Sequence, residues 1–220
     1  MLLLAHRGYH AAVPENTLAA FAAALEFGVD GLETDVRVSA DGEPVLLHDR
    51  LTPQGHAVAA LTRAALEREW GRPVPVLADA LEAFPEPLWN IEIKTPAAAP
   101  AALAVLGRYR RSRRLLVTSF RHDVVARCAA GLDVAWGLLF AHVPADPQRV
   151  VADHAAHPRV RSAVWDYGII DEPVLDIFAA AGWSNYVYGV LTAEEWRRCA
   201  ALGVAGVMTD DPALAGRAGV

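Results

Sequence analysis

Two short apolar runs carry charged residues at a spacing suited to chemistry. Glu33 and Asp35 lie two apart in GLETDV at 31–36, and Glu92 and Lys94 repeat that interval in WNIEIK at 89–94. On a β-strand, residues two apart point to the same face. Three carboxylates gathered there repel one another, each like-charge contact costing about 4 kcal/mol at about 4 Å and an effective dielectric of roughly 20. A divalent cation relieves that repulsion. Hard oxygen donors, with no cysteine or multi-histidine set beside them, favour Mg²⁺ or Ca²⁺ over zinc. Glu33, Asp35 and Glu92 are therefore candidate ligands of one divalent ion. Three carboxylates and the Lys94 ammonium leave two negative charges, which such an ion neutralises, so that a phosphate ester can enter without net repulsion. The competing reading of Glu33 and Asp35 is a plain ion pair with Arg7 or Arg37.

Two histidines complete the set. His6 follows the apolar start of the chain, beside Arg7 and Gly8, and His48 closes the run PVLLH at 44–48. A pair of imidazoles at one rim suits a general acid and a general base. The remaining histidines, His10, His56, His122, His142, His154 and His157, read as structural. Lys94 is the one lysine among the 20 basic residues, which points to a place where a compact ammonium fits and a planar guanidinium does not. In PENT at 14–17, Asn16 either caps the helix that follows or, with Glu15, braces the His6–Arg7 turn from behind.

Short β-branched or aromatic runs alternate with Ala/Leu/Arg/Glu segments at helical period, the pattern of repeated βα units around a parallel sheet. Strands are predicted at 2–7, 31–36, 89–94, 115–120, 135–140, 162–167, 185–190 and 206–210. Helices are predicted near 17–27, 76–84, 97–110, 121–130, 146–156, 171–181 and 192–202, with a remnant at 213–220. Eight strands and seven internal helices fit a TIM (β/α)8 barrel, for which ~250 residues are typical; the 220 residues of this chain imply short loops. One segment breaks the alternation. Asp41-Gly42 between two apolar runs predicts a hairpin whose second strand brings His48 back toward Glu33 and Asp35. The Pro- and Gly-rich tract at 50–75 reads as a small insertion or lid.

The chain carries 20 basic and 26 acidic side chains, a net charge of −6. That balance argues against nucleic acid as a partner, since phosphate backbones are held by clustered Lys and Arg. The apolar start at 1–5 is interrupted by His6 and Arg7, far short of the roughly 20 residues of a membrane span. The isolated Cys128 and Cys199 suit a reducing compartment. Together these predict a single cytoplasmic domain over 1–220, with no integral membrane segment and a small-molecule substrate.

HRG at 6–8, PENT at 14–17, ETD at 33–35, HD at 48–49, EIK at 92–94, SF at 119–120 and TD at 209–210 occur in the order found in the glycerophosphodiester phosphodiesterase family, which the chain resembles over almost its whole length. The resemblance implies a TIM-barrel hydrolase that cleaves glycerophosphodiesters to sn-glycerol 3-phosphate and an alcohol. It further implies that Glu33, Asp35 and Glu92 bind the metal, that His6 and His48 are the acid and base, and that Arg7 and Lys94 hold the phosphate. Two departures stand out, the first bearing on closure of the glycerol pocket and the second on the alcohol. The tract after HD is shorter than is usual in the family, and the YGVL run at 188–191 stands where the family often has an aromatic-Thr-Val-Asn run. Tyr188 is then expected on the substrate side of the mouth. Trp165 and Tyr167 form either an apolar, cation-binding wall there or part of the core. A phospholipase-D-like enzyme acting on lysophospholipids shares the HR, ExD and HD pattern, but EIK favours the phosphodiesterase. A catalytically silent barrel that binds phosphorylated ligands is disfavoured, because no core catalytic position is lost.

Overall fold

The computed structural model describes residues 1–217. Eight strands run parallel: β1 (Leu2–Ala5), β2 (Gly31–Val38), β4 (Leu88–Ile93), β5 (Arg114–Ser119), β6 (Ala135–Phe140), β7 (Val160–Asp166), β8 (Ser184–Tyr188) and β9 (Gly206–Thr209). They pair in the order β1-β9-β8-β7-β6-β5-β4-β2, and a β1–β2 pairing closes the ring. The helices are α1 (Leu18–Leu25), α2 (Arg63–Trp70), α3 (Leu77–Ala83), α4 (Ala99–Tyr109), α5 (His122–Cys128), α6 (Pro147–Asp153), α7 (Glu172–Ala180), α8 (Ala193–Ala201) and α9 (Leu214–Arg217). This is the expected TIM barrel, and the seven internal helices predicted from periodicity are found as α1 and α3 to α8, with α2 in addition. Of the helical remnant expected at 213–220, residues 218–220 lie outside the described residues.

Strand alternation sorts side chains into two cores. Outward-facing residues such as Leu32, Ile91, Val117, Leu138, Trp165 and Val187 form the large layer under the helices. A smaller inner cluster of Leu4, Leu139, Val164 and Met208, with Leu2, Leu88, Tyr186 and Tyr188 against it, fills the barrel. Continuing each inner row toward the C-terminal end of its strand reaches His6, Glu33 and Asp35, Glu92 and Lys94, Phe120, Asp166, Tyr188 and Asp210. That is the face where barrels of this kind place their chemistry.

The hairpin strand β3 (Pro44–Leu46) follows from the short first strand. β1 ends at Ala5 opposite Leu32, leaving the edge of the longer β2 open beyond that point. β3 takes this edge antiparallel, with Val36 opposite Leu46 and Val38 opposite Pro44. Gly42 makes the turn at φ +82°, a conformation that L side chains avoid. The insertion at 50–75 is more ordered than a Pro/Gly-rich tract suggests: it contains α2, capped by Thr62 at one end and by Gly71 in the left-handed region at the other. Its own apolar cluster is Val45, Leu47, Val58, Leu66, Val74 and Val76. Single-turn spacing of Leu66 and Trp70 among charged residues hid this helix in the sequence. No helix among the described residues is long and apolar enough to cross a membrane.

Candidate active site

β2 and β4 pair so that Asp35 lies opposite Glu92 and Glu33 opposite Asn90. The register therefore brings three carboxylates together, with one ligand oxygen from each of Glu33, Asp35 and Glu92 lying within 4.8 Å of the others. All three are buried, at 3%, 1% and 7% exposure. Lys94 comes over them from the end of β4, its Nζ 2.9 Å from Glu92 Oε1 and 3.1 Å from Asp35 Oδ1. Arg7 approaches from the other side. Its Nε is 3.3 Å from Asp35 Oδ2, its Nη1 donates to Glu15 Oε2 at 2.9 Å, and its backbone N–H donates to Glu33 Oε2 at 3.0 Å. The ion-pair reading of Asp35 with Arg7 thus holds alongside the triad, and the charge sum must include Arg7 as well as Lys94.

The carboxylates respond differently to these surroundings. Burial, and then the neighbouring Asp35, push the Glu33 carboxyl up to about 8. Burial also raises Glu92, and Lys94 only partly offsets this. Burial would raise Asp35 too, but Lys94 and Arg7 outweigh it and hold that carboxyl below its ordinary range. Burial opposes the Lys94 charge, yet Asp35 and Glu92 keep it firmly protonated.

The turn after β1 is built from left-handed residues. Among the described residues, Arg7 and Asn16 are the non-glycine positions with positive φ, at 59° and 55°, and Gly8 follows Arg7 at 79°. At Gly8 a Cβ would stand 2.6 Å from the Ala20 carbonyl carbon, so only glycine lets the turn pack on α1. Asn16 does not cap α1; Thr17 does, accepting from the Ala20 N–H. Buried Asn16 instead donates from Nδ2 to Asp35 Oδ2 at 2.9 Å, and its Oδ1 accepts from Thr34 Oγ1 at 2.7 Å and from the Asp35 N–H at 3.2 Å. Of the two readings of PENT, the brace is what the structure supports, and it acts on β2 directly.

His6 Nδ1 is 2.6 Å from Asp210 Oδ1, and His10 Nε2 is 3.2 Å from the same oxygen. A carboxylate only accepts, so both ring nitrogens carry hydrogen. His6 therefore presents Nε2 toward Glu33 Oε2, 3.9 Å away. Burial lowers the His6 pKa, but the hydrogen bond to Asp210 and the charge of Glu33 outweigh it, and the net shift is upward. His48 is tied by Nδ1 to Asp49 Oδ1 at 3.0 Å, again leaving Nε2 free. Its carbonyl accepts two hydrogen bonds from the Arg37 guanidinium, at 2.8 and 2.6 Å. Burial is the main influence on His48 and lowers its pKa; Asp35 opposes this while Lys94 and Arg7 add to it.

A cavity of about 160 Å³ joins these groups, lined by His6, Arg7, Glu33, His48, Glu92 and Lys94 on one side and by Phe120, Leu139, Tyr188 and Met208 on the other. Tyr188 is thus at the mouth as expected. Trp165 is not. It faces outward, fully buried, stacked on Phe140 at 4.2 Å and edge-on to Phe178, with its indole N–H on Asn185 Oδ1. The alternation of β7 that puts Val164 inside the barrel puts Trp165 outside, so it is a core residue and no part of a substrate wall. Tyr167 leaves the strand in a single 3-10 turn and lies under Arg198.

The profile of the glycerophosphoryl diester phosphodiesterase family matches residues 6–214. The chain belongs to that family. As a family member it is a phosphodiesterase, and the motifs from HRG to TD fall within the matched span. A glycerophosphodiester phosphodiesterase of Caldanaerobacter subterraneus is 29% identical over 96% of this chain and 94% of its own length. The crystal structure of the Thermotoga maritima glycerophosphodiester phosphodiesterase superposes with a TM-score of 0.85 at 27% identity, covering 99% of this chain and 98% of that one. An Oleispira antarctica phosphodiesterase in complex with its product sn-glycerol-3-phosphate shares the fold, with a TM-score of 0.85 at 21% identity over 96% and 94% of the two chains.

Asp210, His10, Asn90, Phe120 and Arg37 join the site without having been assigned to it from the sequence. Asp210 could have been found. Thr209 of β9 pairs with Ala5 of β1, so the next residue of each strand, Asp210 and His6, must be neighbours.

Proposed function

We propose that the chain hydrolyses glycerophosphodiesters to sn-glycerol 3-phosphate and an alcohol, using one divalent ion, magnesium or calcium, and a pair of histidines. The observation that carries the reading is the buried triad Glu33, Asp35 and Glu92 with two imidazoles beside it, each fixed at Nδ1 by its own carboxylate. The donor set fits a hard cation: three buried carboxylates, with Asp35 Oδ1 accepting no hydrogen bond although it lies 3.1 Å from Lys94 Nζ. A divalent ion bound there supplies Lewis-acid polarisation of a phosphoryl oxygen and offsets negative charge as it develops. Arg7 and Lys94 hold the non-bridging oxygens of the diester. His48, with its pKa lowered, is the free base at neutral pH and takes a proton at Nε2 from the attacking water. His6, with its pKa raised, holds a proton at Nε2 and delivers it to the departing alcohol oxygen as the P–O bond breaks. Asp210 and Asp49 hold the two rings by Nδ1 and leave Nε2 of each toward the site. Glu15 orients Arg7, and Asn16 orients Asp35. The two free cysteines, Cys128 and Cys199, support placement in the cytoplasm.

The test is His6→Ala and His48→Ala with two readouts. Turnover of glycerophosphocholine is expected to fall by ~10²–10⁴, while calorimetric binding of Mg²⁺ or Ca²⁺ persists. Retained turnover in both variants refutes the histidine assignment. A human lysophospholipase D is 24% identical over 95% of this chain and 83% of its own length, so lysophosphatidylcholine is the informative competitor. Faster hydrolysis of that lipid than of glycerophosphocholine refutes the substrate assignment.

A further inference from the structure

Behind the turn that carries Glu15 and Asn16, on the outside of the barrel, lies a cavity of about 370 Å³. None of the residues lining it lines the cavity of the active site. One wall is the end of that turn and the start of α1, with Val13, Pro14, Leu18 and Ala19; the opposite wall is the end of the insertion, with Pro73 and Pro75. Proline fixes φ, so both walls are stiff and the cavity is preformed. A preformed apolar site costs little ordering of the protein when a ligand enters. The volume is near the lower end of the ~300–1,000 Å³ of small-molecule sites, which leaves room for one short alkyl chain and none for a two-chain lipid.

Charge selects the head group. Three charged side chains line the cavity: Arg63, Asp79 and Arg72. Arg63 is tied within the wall, its Nη2 donating to Asp79 Oδ2 at 3.1 Å and its Nε to the Val74 carbonyl at 2.9 Å. Asp79 Oδ2 also accepts from the Val76 N–H at 3.2 Å. Arg72 has no such partner. Its Nη1 and Nη2 reach the carbonyls of Pro73 at 3.3 Å and Glu15 at 3.5 Å, and it makes no ion pair among the described residues. Burial opposes its charge, and Glu15, the carboxylate that partly offsets this, is already bound to Arg7. Arg63 and Asp79 cancel, so the lining carries one net positive charge, at Arg72. A guanidinium fork accommodates a carboxylate through two parallel hydrogen bonds.

We infer that this cavity is a second binding site, for a free amphiphile with one alkyl chain and a carboxylate head, the head on Arg72 and the chain against Leu18, Ala19 and Pro75. Its occupant rests on Pro14 and Thr17, the residues flanking Glu15 and Asn16, which orient Arg7 and Asp35. The experiment is calorimetric titration of the full chain with decanoate below its micellar concentration, and with decylammonium, in the wild type, Arg72→Gln and Ala19→Trp. Ala19 is exposed on α1, so a larger side chain there fills the cavity without entering the core, and urea unfolding checks that both variants are folded. The wild type is expected to bind one decanoate with a Kd below about 1 mM, and decylammonium at least ~10-fold more weakly. Arg72→Gln is expected to weaken decanoate binding about tenfold, and Ala19→Trp to abolish it. Absence of saturable decanoate binding, equal binding of decylammonium, or an affinity unchanged in either variant overturns the assignment. Should a variant not fold, the contrast between the two ligands in the wild type decides. Self-association of the wild type that Ala19→Trp removes, in place of decanoate binding, gives the groove to a second copy of the chain and equally overturns it.

Discussion

Replacing Asn16 tests how the second half of the site is held. The side chain is fully buried and makes three hydrogen bonds, to Asp35 Oδ2, Thr34 Oγ1 and the Asp35 N–H. Asn16→Ala leaves those partners without the amide, and each buried polar group left unpaired costs ~1–3 kcal/mol. The Thr34 hydroxyl can rotate to another acceptor, so values near the lower end apply, for a sum of about 3 kcal/mol. Alanine at a φ of 55° adds about 1 kcal/mol, because a Cβ is disfavoured in the left-handed region. The expected loss is therefore about 4 kcal/mol for Asn16→Ala and about 3 kcal/mol for Asn16→Gly, which tolerates the backbone. Urea unfolding followed by circular dichroism reads both, and at this chain length about 4 kcal/mol corresponds to a melting point lower by roughly 8–16 °C. Asp35 also loses a donor that orients it, so affinity for the divalent ion should fall ~10–100-fold. A stability loss below about 1 kcal/mol in Asn16→Ala, with metal affinity unchanged, refutes the brace.

Three further outcomes follow from the geometry. Burial and Asp35 raise the Glu33 pKa to about 8; because the folded value lies above the unfolded one, its contribution to stability is fully present below the ordinary carboxylate range and is lost as pH rises through about 8. Chelator-treated protein should melt progressively lower from pH 6 to pH 9, and Glu33→Gln should flatten that slope; equal slopes in both proteins contradict the burial argument. Lys94→Arg should lower kcat/KM at least ~10-fold, because a guanidinium fork does not fit where one ammonium now contacts both Asp35 and Glu92, and a near wild-type rate would remove the case for a required lysine. Asp210→Ala should lower kcat by ~10-fold or more with little change in KM, since His6 loses the acceptor that holds its Nδ1; an unchanged kcat shows that Asp210 does not orient the ring.

Much of the barrel and the heart of the site could be read from local pattern. Strand alternation at Glu33 and Asp35, and again at Glu92 and Lys94, needed only the period of a β-strand, and the Asp41-Gly42 turn located the hairpin that returns His48. What escaped depends on long-range register. Asp210 is 204 residues from His6 in sequence, and only the β1–β9 pairing that closes the ring makes them neighbours. The side that Trp165 faces stayed open in the sequence because an aromatic residue near a strand end can face either way; the inward position of Val164 decides it for the core. Asn16 is a common helix-capping residue type, and nothing local distinguishes a cap from a side chain turned back toward β2 by a left-handed backbone. Helix α2 packs on its own small apolar cluster, which no periodic run announces.

The most direct test of the central claim is release of sn-glycerol 3-phosphate from glycerophosphocholine by chelator-stripped protein, before and after Mg²⁺ or Ca²⁺ is added. The triad of Glu33, Asp35 and Glu92 predicts little release without the ion and restoration with it. Equal release under both conditions would contradict the role given to the three carboxylates, and no release under either would contradict the reaction itself.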